Sequence, residues 1–159
     1  MGRPKIYIDK KSLNKVMNNV NRKIANDAQQ VIEKKVVPYT KQVMSEHVQK
    51  DVYNVYSPKY YVRRANAGGL IDERNIVSNV SRDSFTNLVF FKIELENNTP
   101  FNAETSIKDS LAVFINNGVS SSSEPYLQPR PFLEEANVEI KLNAQKIFKS
   151  GMALKGYKV

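Results

Sequence analysis

One side chain in the sequence can exchange protons near neutral pH, His47, and it directly follows Glu46. Neighbours one residue apart on a helix point in different directions, so this pair cannot converge on a metal ion, and His47 reads as a partly buried or surface histidine. Asp72 and Glu73 stand beside Gly68-Gly69, a combination that would interest a nuclease. Such a site draws two or three carboxylates from rigid elements, and no such set assembles here. Gly68-Gly69 has no downstream Gly-Lys-Ser/Thr to make a phosphate loop. The serines from Ser120 to Ser123 lack the glycine frame of a nucleophile elbow. The chain has no cysteine, which removes disulfides and thiolate metal sites. The expectation is a protein without catalysis, metal or cofactor.

The residues suited to recognition lie between Tyr56 and Ile76. Tyr56, Tyr60 and Tyr61 offer flat apolar surfaces with polar tips. Arg63 and Arg64 bring permanent charge, and Gly68-Gly69 open backbone conformations closed to other residues. Tyrosine and arginine dominate protein–protein contacts, and they also stack on bases and hold phosphates. The segment matches no compact nucleic-acid-reading motif, so a protein interface is the leading reading and nucleic-acid contact the alternative.

The flanking elements follow from periodicity. Residues 5–9 read as a short strand or arm. Leu13, Val16, Met17, Val20, Ile24, Ala28, Val31 and Ile32 recur every three or four residues, which predicts an amphipathic helix capped by Asp9 or Ser12. Pro38 lacks an amide hydrogen and disfavours helix at Val37. Helical spacing resumes through Val43, Met44, His47, Val48, Val52 and Val55, giving one long helix kinked near Pro38. Residues 56–74 read as an extended loop. From Asn75 the period becomes two. A strand at 76–81, the turn Asp83–Asn87 and a strand at 88–95 with Val89, Phe91, Ile93 and Leu95 on one face predict an antiparallel hairpin. Residues 97–108 read as a polar connection, residues 110–118 as a short strand or helix, the helix favoured because Gly118 suits its C-terminus, and 120–123 as a mobile tip. Pro131 opens a last amphipathic helix, which Gly151 is expected to stop, leaving a frayed tail at 152–159.

At 159 residues, 41% apolar and 25% charged, the chain fits one globular domain, residues 1–159, with a flexible arm at 1–11. The longest apolar run, Leu88–Phe91, is too short to span a bilayer. No apolar region follows Met1, and Ile6 breaks the myristoylation pattern after Gly2, so neither a secretion leader nor an acyl anchor is expected. The net charge is +8. Residues 1–60 hold twelve basic against five acidic side chains, the remainder twelve against eleven. The lysines are spread over polar helix positions and read as a solvated face.

The order of motifs resembles the gp-ten-like tail-component (tail-completion, head–tail connector) family of long-tailed bacteriophages and prophages, in the form found with Gram-positive hosts. The resemblance rests on Tyr53-Asn-Val-Tyr56-Ser-Pro58-Lys-Tyr60-Tyr61-Val-Arg63-Arg64, on Gly68-Gly69-Leu70 before the first strand, and on Pro129-Arg130-Pro131-Phe132-Leu133 opening the final helix. It covers roughly residues 12–150. Leu111-Ala112 and Asn117-Gly118 replace a tyrosine and a glutamate of that family's pattern. The resemblance implies an α+β fold, with the long kinked helix and the C-terminal helix packed on a small antiparallel sheet. It also implies a virion structural role: a ring of copies at the neck, between portal, adaptor or stopper and tail tube. A closed ring needs two different complementary surfaces on each subunit. Tyr56, Tyr60, Tyr61, Arg63, Arg64, Gly68, Gly69, Leu70, Arg130 and Phe132 are the candidate subunit contacts. Nonspecific contact with DNA in the lumen would be weak, and no membrane is involved.

Overall fold

The computed structural model describes residues 9–55, 57, 62, 65–95, 111–120 and 125–159. The expected strand at residues 5–9 falls almost wholly outside these residues, as do the connection at 97–108 and the tip at 121–123.

Helix α1 spans Lys10–Val31. Asp9 caps it, its carboxylate accepting the Ser12 N–H at 3.1 Å. The helix does not stop for Pro38. Proline cannot donate a hydrogen bond back to the preceding turn, and its ring crowds the carbonyl four residues earlier. The chain widens one turn ahead, into a π-helical turn at Ile32–Val36 in which the Val37 N–H reaches back to the Ile32 carbonyl. Pro38 then sits in the first turn of α2, Val37–His47, where its missing donor matters least. A second π-helical stretch, Val48–Tyr53, completes one long bent helix. The wide turn explains a spacing that α-helical periodicity forbids: Val31 and Val36, five apart, are both buried.

The described part of the expected extended loop is compact. Residues 65–72 are folded into successive turns, followed by a 3-10 turn at Glu73–Asn75. Strands β1 (Ile76–Arg82) and β2 (Val89–Leu95) then pair antiparallel, with Ile76 opposite Leu95 and Arg82 opposite Val89. The Asp83 carboxylate accepts the N–H groups of Phe85 and Thr86, and Asn87 takes the left-handed conformation that the turn requires. Arg82 bonds to Asn26 and Asn87, pinning the hairpin to the polar side of α1. Helix α3 (Leu111–Asn117) ends at Gly118, φ +72°. A two-stranded ribbon of β3 (Val119–Ser120) and β4 (Pro125–Leu127) leads to α4, Phe132–Leu154.

Helix α4 runs through Gly151 rather than stopping there. Gly151 lies where α4 crosses α1: a Cβ at this position would overlap the Val31 side chain. The stop comes later. Gly156, at φ +87°, donates to the Ala153 carbonyl at 2.9 Å, and Tyr157 N–H donates to that of Met152 at 3.2 Å. This paired arrangement is a Schellman ending. The tail is tied rather than frayed. Lys155 Nζ reaches Asp27 at 2.8 Å and Gln30 at 2.9 Å, and the Tyr157 hydroxyl donates to Asp27 at 2.7 Å.

The architecture is therefore α+β. Helix α4 lies antiparallel to the long helix, its start beside His47 and its end beside Val31 and Asp27. Between them, Val43, Met44, Val48, Val52, Leu70, Ile76, Ala112, Phe132 and Ala136 form the core, with Ile93 and Leu95 of β2 packed against it. Burying such side chains contributes about 1.5–3 kcal/mol for each large one.

Candidate subunit-contact site

The candidate contact region begins with the turns that precede β1. Asp72 organises them. Its carboxylate accepts the N–H of Gly68 at 2.8 Å and of Arg74 at 3.0 Å, and Arg74 Nε donates to it at 2.9 Å. The Arg74 guanidinium, with these two backbone donors, holds the Asp72 carboxyl well below the usual carboxylate range. This acid is committed to holding the loop, and Glu73 beside it is exposed. Asn75, buried, donates from its side chain to the Gly69 carbonyl at 2.7 Å. Gly69 is required by space: a Cβ there would lie 2.6 Å from the Ala65 carbonyl oxygen and 2.7 Å from the Tyr53 hydroxyl. The turn is thus clamped against the end of the long helix.

The candidate residues divide by position. Tyr56, Tyr60, Tyr61, Arg63 and Arg64 lie outside the described residues. Gly68 and Gly69 shape the turn. Leu70 and Phe132 are buried in the core, so they anchor the surfaces around them rather than touch a neighbour. Arg130 is half-buried and internal, with its guanidinium 3.4 Å from the Val52 carbonyl at the close of the long helix. Its N–H bonds to the carbonyls of Ile115 and Asn116. The N-cap position of α4 is Pro131, which offers no side-chain cap, and buried Asn116 supplies one from outside: it accepts the Leu133 N–H at 3.1 Å and donates to the Glu134 carboxylate at 2.9 Å.

Two further groupings escape sequence reading. The first is polar. His47 Nδ1 lies 2.8 Å from Asp51, and Nε2 lies 3.2 Å from Glu139 of α4. The i,i+4 pairing of His47 with Asp51 is legible in the sequence, whereas the approach of Glu135 and Glu139 depends on how α4 docks. Ligand atoms of His47, Asp51 and Glu135 lie within 4.8 Å of one another. Lys50 Nζ already stands 3.4 Å from Asp51 and 3.5 Å from Glu135, so the cluster reads as a polar clasp between helices.

The second grouping is apolar and exposed. Leu13, Val16, Met17, Val20 and Ile24 on α1 are 39–57% accessible. Val138 and Leu142 on α4, and Phe85, Leu88 and Phe90 on the hairpin, are exposed as well. Apolar residues grouped in this way on separate elements mark contact surfaces. Among the described residues, no helix is long and apolar enough to cross a membrane.

A family model, YomN, matches residues 16–153 of the chain. No curated protein and no solved structure gives a significant match.

Proposed function

We propose, for a chain that belongs to the YomN family and is thereby phage-related, a structural role in the virion, as a tail-completion or head–tail connector protein. In this reading copies assemble as a ring at the neck, between portal or capsid and tail tube, and no catalysis is involved. The observation that supports it best is the presence of exposed apolar groups on separate elements, on the hairpin at Phe85, Leu88 and Phe90 and on α4 at Val138 and Leu142. A ring subunit presents one surface to the neighbour on each side, and the two must differ. The order of motifs from Tyr53 to Leu133 supports the same role. The Asp72 clamp then serves to hold the turns at 65–75 at a fixed place on the subunit.

Deletion of the coding sequence from the source phage or prophage tests this. The expected outcome is DNA-filled heads and free tails that fail to join, restored when purified protein is added. Infectious tailed particles made without the chain, or an electron cryomicroscopy map of the particle with no density for it at the neck or tail end, would overturn the proposal.

A further inference from the structure

The apolar residues of α1 fall at alternating steps of three and four. Lys10, Leu13, Met17, Val20, Ile24, Asp27 and Val31 form an unbroken heptad seam, the pattern of a helix that packs along another helix. The seam is covered at one end only. Val31 is buried against Gly151, and Asp27 is held by Lys155 and Tyr157. From Ile24 to Leu13, over about 16 Å of helix, the seam is open. The hairpin does not cover it, because Arg82 binds Asn26 on a different side of α1.

We propose that a second copy of this chain covers this seam, through an antiparallel two-fold pairing of the α1 helices. The sequence is self-complementary in that orientation. With the axis between Asn18 and Asn19, residues whose numbers sum to 37 face each other: Leu13 meets the partner's Ile24, and Met17 meets the partner's Val20. At the ends of the same register, Lys10 meets the partner's Asp27, a pairing of opposite charges. Asp27 is half-buried and already accepts two donors, and a carboxylate has sites for more. The flanking positions bring Asn14 towards Asn21 and Val16 towards Lys23, and at each end Lys10 would share the Asp27 carboxylate with Lys155, which already lies 2.8 Å from it. The partner's α1 would start where α4 ends and continue its line. The positive N-terminal end of one helix then follows the negative C-terminal end of the other. The helices exist before association, so the nucleation cost that makes short isolated coils marginal is already met. This pairing is independent of the neck reading above.

The chain contains no cysteine, which makes cross-linking a direct test. Sedimentation of the full chain over ~1 µM to ~1 mM, the range of weak to moderate self-association, is expected to show a monomer–dimer equilibrium. Val20→Glu, on an exposed position, is expected to remain monomeric across the range with an unchanged circular dichroism spectrum. Oxidising a mixture of Leu13→Cys and Ile24→Cys proteins should give the mixed disulfide dimer, while Leu13→Cys alone gives none. A wild-type monomer throughout, ready Leu13→Cys homodimers (parallel pairing), or dimers that survive Val20→Glu would each overturn the proposal.

Discussion

At Gly69 the missing side chain is what the fold depends on. Two of the three atoms that a Cβ would meet are backbone atoms of Ala65, which cannot swing aside, and the third is the Tyr53 hydroxyl. Gly69→Ala is therefore expected to lower stability by about 1–3 kcal/mol in chemical denaturation, the usual cost of forcing atoms into filled space. Asp72 makes a prediction with a sign in pH. Its folded carboxyl is held below the ordinary range, chiefly by Arg74. The stabilisation is thus fully present above the unfolded value of about 4 and is lost as pH falls through the folded value. Thermal melts should show Asp72→Asn below wild type from pH 5 to pH 8, with the gap closing under strongly acid conditions. A gap that widened as pH fell would contradict the assignment. The sequence shows Asp72 as an acid beside glycines. It does not show that Arg74, two residues on, claims that acid, because this depends on the turn. The apolar stripe of the last helix marks Phe132 for burial, whereas for Leu70 the motif marks a position in the chain and leaves its depth open.

The elements were easier to read than their neighbours. The hairpin declares itself through strict alternation on both sides of Asp83–Asn87, a signal set by local geometry alone. The long helix is equally clear in its first part, yet periodicity says only that Leu13, Val16, Met17, Val20 and Ile24 share a face. It is silent on what covers that face. Val36 falls outside the α-helical pattern because the π-helical turn shifts the phase by a residue, and no α-helical template anticipates a five-residue step. Gly151 is ambiguous in the sequence for a different reason. Glycine marks both helix ends and close helix crossings, and only packing separates the two. Gly151→Ala should destabilise by about 1–3 kcal/mol, through overlap with Val31. Val31→Ala in the same chain should recover part of that loss. A double-mutant cycle in urea measures the coupling, and simple additivity would show that the two do not touch.

For the molecule as a whole, charge is the property most open to test. The N-terminal 60 residues hold seven of the eight net positive charges, and α1 contributes Lys10, Lys11, Lys15, Arg22 and Lys23. If the chain met DNA only through this diffuse field, binding would be weak and would fall steeply with salt. Gel shifts are expected to show a complex at low ionic strength that disappears near physiological salt, with little dependence on sequence. Tight, sequence-selective binding would favour a nucleic-acid-binding module over a structural subunit.

The wide turn at Ile32–Val36 also has a mechanical meaning. The 22 residues of α1 make a rod of about 33 Å, held at one end by Val31 against Gly151 and by the clasp on Asp27, and along one flank by the hairpin at Asn26. That geometry is a lever with its fulcrum at the π-helical turn. Each 10° of bend there would carry the far tip about 6 Å, so small adjustments at the core become large displacements at Leu13. In any assembly of this chain, the reach of each copy would be set at the turn that makes room for Pro38.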